Sequence, residues 1–247
     1  MTAGQLFQSG KLDQAVQALG AELRDNPGDV RRRTFLFELL CFAGAYDRAE
    51  KHLDVLAQGG KDTQMGALLY AGALHAGRTR SEMFEKKEYP KAAEESASVP
   101  LTGTLNGQPF ESFEDADPRI GARLEVYAAG QYMWLPLAHI ASIEMEAPKR
   151  LRDLLWSPAL VRTGPGFKGR ELGEILLPVL TPLAFKSADD AVRLGRMTLW
   201  QELEDGGTAP AGQKMFLVDD EEFPLLELRQ LEFHARQTDS EEHAPTE

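Results

Sequence analysis

Gly164-Pro165-Gly166-Phe167-Lys168-Gly169 reproduces the glycine spacing of a dinucleotide-binding turn. Such a turn works by aiming backbone N–H groups at a pyrophosphate from the start of a helix. Pro165 removes one donor, and Pro178 and Pro182 argue against a following helix, so a plain loop is expected. Gly10-Lys11 lacks both the preceding glycine spacing and the hydroxyl of a phosphate loop and reads as a hairpin turn. His52, His75, His139, His234 and His243 are far apart, and Cys41 is the single cysteine, so no metal-ligand spacing arises. The apolar, helical surroundings of Cys41 suit a core or groove-lining thiol better than a nucleophile. With no Gly-x-Ser-x-Gly elbow either, no catalytic residue, cofactor or metal is expected and the chain reads as a non-enzyme.

The acidic runs Glu114-Asp115-Ala116-Asp117 and Asp219–Glu222 lack the spacing of a calcium loop and are expected to be solvated turns. Formal charge is −12 and unevenly spread: residues 1–99 hold 13 Lys+Arg against 14 Asp+Glu, and residues 100–247 hold 14 against 25. An acidic surface repels phosphate backbones and anionic lipid, so neither nucleic acid nor membrane insertion is expected. No run of about eighteen apolar residues occurs, and the first residues carry no secretory signal pattern, which gives a cytoplasmic, bacterial-type location as the expectation. Trp134, Trp156 and Trp200 are expected in the core or between domains.

The elements that position these residues announce themselves through a repeat. Ser9 through Leu19 recurs as Ala43 through Leu53, a spacing of 34 that aligns Gly10 with Gly44, Asp13 with Asp47, Ala15 with Ala49 and Leu19 with Leu53. That is the period of tetratricopeptide helical hairpins. Asn26-Pro27-Gly28-Asp29 separates the hairpins, a helix starts near Val30, and Tyr46–Leu56 follows the Gly44 turn. A third start is expected at an Asp62-Thr63 cap, running to Gly77, with a separate capping helix over Arg80–Tyr89. Ala15, Ala49 and Gly72 would let neighbouring helix axes approach.

Residues 91–100 have linker composition between Pro90 and Pro100, and beyond them the apolar period changes to two. Leu101–Leu105 with Asn106-Gly107 reads as a strand entering a hairpin. Further strands are expected at Leu124–Ala128, Gln131–Leu135, Ile140–Met145, Ala159–Arg162, Glu174–Leu180 and Met215–Val218. A short helix is expected over Lys149–Leu155, and another is capped by Ser187-Ala188-Asp189-Asp190. Pro224–Phe233 is expected to close a last hairpin, with a bulge near Arg229-Gln230. The fold class is α+β: tetratricopeptide-like helical hairpins over 1–90, a β-rich α+β domain over 101–235, and a disordered tail over 236–247.

Tyr132-Met133-Trp134-Leu135-Pro136-Leu137, Ile140 to Glu146, Arg150-Leu151-Arg152-Asp153-Leu154-Leu155-Trp156 and Met215 to Glu227 together resemble the ImpE/SciE family, also called TagJ. The resemblance covers most of the chain. It implies a non-enzymatic accessory protein of bacterial type VI secretion, which binds a helical segment of the smaller sheath subunit and is associated with the ATPase that recycles the sheath. Between Tyr89 and Pro100 the chain has a short linker where relatives often carry further helices. On repeat geometry, Arg31, Thr34, Glu38, Cys41, Leu68 and His75 are the expected protein-binding residues, lining a groove for an amphipathic segment. The alternatives are a general tetratricopeptide co-chaperone and an enzyme with a site in the β-rich half, for which no acid, base or nucleophile constellation exists.

Overall fold

Thr2 opens the first helix by accepting from the Gln5 amide while the Gln5 side chain accepts from its own, and Asp29 caps the third through the Arg32 amide. In the computed structural model, which describes residues 1–90, 101–164, 167, 172–204 and 206–234, five helices follow one another. They are α1 (Ala3–Gln8), α2 (Leu12–Asp25), α3 (Val30–Phe42), α4 (Tyr46–Leu56) and α5 (Lys61–Lys86). The equivalent turns at Gly10 and Gly44 have φ of +74° and +67°, which a Cβ opposes. Ala15 and Ala49 are fully buried at the equivalent helix crossings.

The third unit departs from the expectation. The helix begins at Lys61 behind Gly60, without a side-chain cap from Asp62 or Thr63, and continues for 26 residues. Gly77 does not end it, because one glycine costs a helix only about 1 kcal/mol and Ala76, Gly77 and Arg80 are all buried. The helix stops where Lys87 turns left-handed (φ 57°) and its N–H donates to Met83 O. The third hairpin therefore lacks a separate second helix. Gly72 makes no helix crossing. A Cβ there would lie 2.9 Å from Gly130 Cα, so the glycine admits a strand turn.

The second half contains β1 (Gly103–Leu105), β2 (Gln108–Phe110), β3 (Phe113–Asp115), β4 (Arg123–Ala128), β5 (Gln131–Pro136), β6 (Ile140–Met145), β7 (Trp156–Thr163) and β8 (Gly173–Pro178). A short helix α6 (Asp190–Arg193) leads to β9 (Leu199–Glu202), β10 (Thr208–Ala211), β11 (Met215–Val218), β12 (Glu221–Pro224) and β13 (Gln230–Phe233). Eight strands form one antiparallel sheet in the order β2-β1-β13-β6-β7-β8-β4-β5. A three-stranded sheet, β12-β11-β3, and the β9–β10 ribbon complete the domain. Alternation along β4 sorts its faces. Leu124, Val126 and Ala128 join a core with Phe113, Phe216 and Leu231, whereas Tyr127 joins the helical core with Trp156 and Leu176.

Several expectations are corrected here. Pro224–Phe233 is not one strand: β12 ends at Pro224, a 3-10 turn spans Leu225–Glu227, and β13 crosses to pair with β1 and β6. That turn explains the phase slip attributed to a bulge. Lys149–Leu155 shrinks to a 3-10 turn at Leu151–Leu154, and β9 and β10 were not anticipated. The linker 91–100, the tail 236–247 and most of Gly164–Gly169 lie outside the described residues.

Gly44 supplies a stability test. A Cβ there would lie 2.3 Å from the Phe185 ring and would also oppose the positive φ. Gly44→Ala is expected to cost about 2–4 kcal/mol in urea unfolding, combining overpacking with backbone strain. Gly28→Ala, with nothing within 4 Å of its Cβ, should stay within about 0.5 kcal/mol of the parent.

Candidate protein-binding surface

The inner side of the helical stack is occupied by the chain itself. Arg152 follows the β6 strand, reaches Glu38 on α3 at 3.2 Å, and lies over the Tyr70 ring of α5 at 5.1 Å. Trp156, the first residue of β7, packs 6.3 Å from Phe37 and 5.7 Å from Tyr70. Beside it, a cavity of about 40 Å³ is lined by Cys41, Tyr46, Gly77, Arg80, Tyr127 and Trp156 among others. Burial raises the Glu38 carboxyl pKa against the pull of Arg152, and burial pushes the Cys41 thiol well up.

These contacts divide the six expected groove residues. Glu38 and Cys41 are buried beneath the β-rich domain, so no partner reaches them. Arg31 is exposed at the start of α3, and Thr34 is half-buried with Oγ1 donating to Val30 O at 2.9 Å. Leu68 and His75 are exposed on α5. The six do not form one continuous groove.

Repeat-equivalent positions anchor the second domain. Asp190 accepts from the Leu12 amide at 2.8 Å, capping α2 from a distant part of the chain. Arg193 grips Asp13 with two bonds of 3.0 Å, and Arg196 donates to Phe7 O and Gln8 O beside the Gly10 turn. At the second turn Phe185 meets Gly44 and Tyr46, while Asp47 accepts from Arg78 at 3.0 Å.

A chain of buried charges fastens the end of α5. Arg80 makes a two-pronged pair with Glu125 of β4, both bonds 2.7 Å, and donates to Leu180 O at 2.9 Å. Lys214 reaches Glu125 at 2.7 Å and also pairs with Asp115 of β3. Tyr132 donates to Glu125 at 2.5 Å and accepts from the Trp134 indole. Burial opposes ionisation of Glu125, but Arg80 and Lys214 outweigh it and hold the carboxyl at about 2. Burial pushes Asp115 up to about 7 against the pull of Lys214.

Asp115 and Asp117 thus belong to no solvated turn. Both are buried, and Asp117 is bound by Arg119 through bonds of 2.7 and 2.6 Å. Of the second acidic run only Asp219-Asp220 is a turn, with φ of 52° and 66°, whereas Glu221 and Glu222 open β12. Trp156 lies between the domains, Trp134 sits under Arg123 at 4.3 Å, and Trp200 is 40% exposed. Among the described residues no group of three or more His, Cys, Asp or Glu could hold a metal ion, and no helix is long and apolar enough to cross a membrane.

One apolar surface on the helical stack is left open. Met65, Leu68 and Leu69 of α5 are 74%, 73% and 51% exposed, and their spacing of three and four puts them on one helix face. The sequence places Leu68 among the expected binding residues and leaves Met65 and Leu69 as unremarked positions of the helix expected from Asp62 to Gly77. Their signal was available only once the missing second helix was known.

The tetratricopeptide repeat profile matches residues 6–71, and the profile described as ImpE protein matches residues 107–232. The chain is 32% identical to the type VI secretion system accessory component TagJ of Pseudomonas aeruginosa over 94% of this chain and 91% of that protein. The chain belongs to the ImpE family. A crystal structure of a Vibrio parahaemolyticus protein, 22% identical, shares the fold of this ImpE-family chain with a TM-score of 0.81, covering 95% of this chain and 98% of that one.

Glu125→Gln would leave Arg80 and Lys214 buried with only Asp115 to compensate, and should cost about 3–5 kcal/mol in denaturant unfolding. The pH dependence has two limbs. Glu125, lowered from 4.5 to about 2, contributes stability that is present above 4.5 and lost as pH falls towards 2. Asp115, raised from 3.8 to about 7, contributes stability that is present below 3.8 and lost as pH rises towards 7. Unfolding measured across this range should show stability declining from the mid-acid region to neutrality, and Asp115→Asn should flatten that decline.

Proposed function

We propose that this protein is a non-enzymatic adaptor of a bacterial type VI secretion system, acting in the cytoplasm. It holds a helical segment of the smaller contractile-sheath subunit on the open face of α5. The observation that carries this reading is the exposed Met65, Leu68 and Leu69 stripe on a helix whose hairpin lacks its second member. An incoming amphipathic helix with apolar residues three and four apart would take that member's place. Family membership and the accessory role printed for the Pseudomonas aeruginosa relative support the secretion setting.

Burial of large apolar side chains contributes about 1.5–3 kcal/mol each, and association opposes it by several kcal/mol or more. The stripe therefore supports a reversible complex. His75, exposed and seven residues after Leu68 on the same face of α5, is the polar binding residue this proposal keeps from the six; Arg31 and Thr34 on α3 take no part in it. Holding the sheath subunit would place the adaptor beside the ATPase that recycles the sheath and let it influence that step.

In calorimetric titration with the helical segments of the smaller sheath subunit, Leu68→Glu should weaken binding at least tenfold, equivalent to about 1.4 kcal/mol. Its unfolding midpoint should stay near that of the parent because the side chain is exposed. Unchanged affinity in Leu68→Glu and Met65→Glu would move the interface away from α5. Capture of general chaperones without sheath subunits would favour the co-chaperone reading.

A further inference from the structure

A second surface lies on the β9–β10 ribbon. All four residues of β9 are exposed, so neither of its faces is packed, whereas Ala209, Pro210 and Ala211 of β10 are buried. Trp200 stands opposite Pro210, which has no N–H to donate, and the Leu203 amide's bond to Gly207 O puts that pair at a non-bonded position of the ladder. Antiparallel alternation then gives the ladder bonds to Leu199 with Ala211 and Gln201 with Ala209, continued by the Leu203 amide donating to Gly207 O at 2.7 Å. The main-chain groups of Trp200 and Glu202 face outward, and β9 has no other strand neighbour among the described residues.

The surroundings of this edge specify what could add to it. Met197, Leu199 and Trp200 are 42%, 41% and 40% exposed and offer apolar contact. The Trp200 indole donates to Glu222 at 2.8 Å, which brings the exposed acidic turn of β11 and β12 to the edge. Glu202, Glu221 and Glu222 are exposed, and no ion pair involves them among the described residues. Two copies pairing edge to edge would bring these like charges together, which opposes self-association.

We propose that β9 is a docking edge for an extended, basic segment of a partner protein, which adds to the ribbon as a third strand. Main-chain bonds to Trp200 and Glu202 would hold the segment, alternate apolar side chains would lie on Trp200 or Leu199, and Lys or Arg would face the acidic rim. The α5 stripe takes no part in this contact, so the two surfaces can be tested independently.

The probe is the peptide acetyl-Lys-Val-Lys-Ile-Lys-Val-Lys-amide, set against its Glu-for-Lys counterpart and titrated into the full chain at low salt with amide exchange as readout. The expected result is saturable, salt-weakened binding of the basic peptide alone, with new protection at the Trp200 and Glu202 amides. Glu202→Pro removes an outward donor without breaking a ladder bond and should abolish binding. The double variant Glu221→Gln, Glu222→Gln should weaken it several-fold, and Leu68→Glu should leave it unchanged. Failure of the basic peptide to bind, equal binding of the acidic peptide, or binding that survives Glu202→Pro would overturn the proposal. Protection at Trp200 and Glu202 that grows with protein concentration in the absence of peptide would instead assign the edge to a second copy.

Discussion

The chain of charges from Arg80 through Glu125 and Lys214 to Asp115 fixes how the two halves of the molecule meet. It links α5, β4, the segment before β11, and β3 with two basic and two acidic side chains, all buried. Charges removed from water cost several kcal/mol each unless they are paired with good geometry. Here the pairing is complete only when the helices and both sheets are in place together. A helical stack detached from its sheet would expose Arg80 alone, and a detached sheet would leave Glu125 with Lys214 only. The two halves are consequently one packed unit, with Phe37 and Tyr70 of the helices in the same core as Trp156 and Leu176 of the strands.

This docking determines which helical surfaces remain for a partner. In a free-standing repeat the inner groove would be the natural receptor, but Arg152 and Trp156 already fill it beside α3 and α5. The turns of the two hairpins are likewise occupied, by Phe185 at Gly44 and Arg196 at Gly10. Among the described residues, an apolar stripe stays open on α5, where Met65, Leu68 and Leu69 meet solvent. The repeat architecture is thus gripped by its own second domain, and the recognition proposed above falls where the repeat is incomplete.

Much of this was legible in the sequence. The Gly10/Gly44 and Ala15/Ala49 correspondences located the hairpins because turn conformation and tight crossings restrict residue type locally. Asn106-Gly107 located a strand hairpin for the same reason. Long-range relations were not legible. Gly77 looked like a helix end, yet Tyr46 and Tyr127 pack around it, with a Cβ there 3.6 Å from the Tyr46 ring. Asp115 looked solvated within an acidic run, and its partner Lys214 lies 99 residues away. Glu125 was a charge inside the apolar stretch Leu124–Ala128, a local conflict that could have marked a buried ion pair. Glu38 and Cys41 matched groove positions by register, which carries no information about the domain that covers them.

The central claim is that recognition has moved from the inner groove to the open face of α5. Photo-crosslinking from a single benzoylphenylalanine, placed at Leu68 or at Thr34 in otherwise unchanged protein, tests it in the presence of the smaller sheath subunit. The account predicts strong crosslinks to one helical segment from position 68 and few from position 34. Strong crosslinking from position 34 with none from position 68 would contradict it and return recognition to the inner side of the stack.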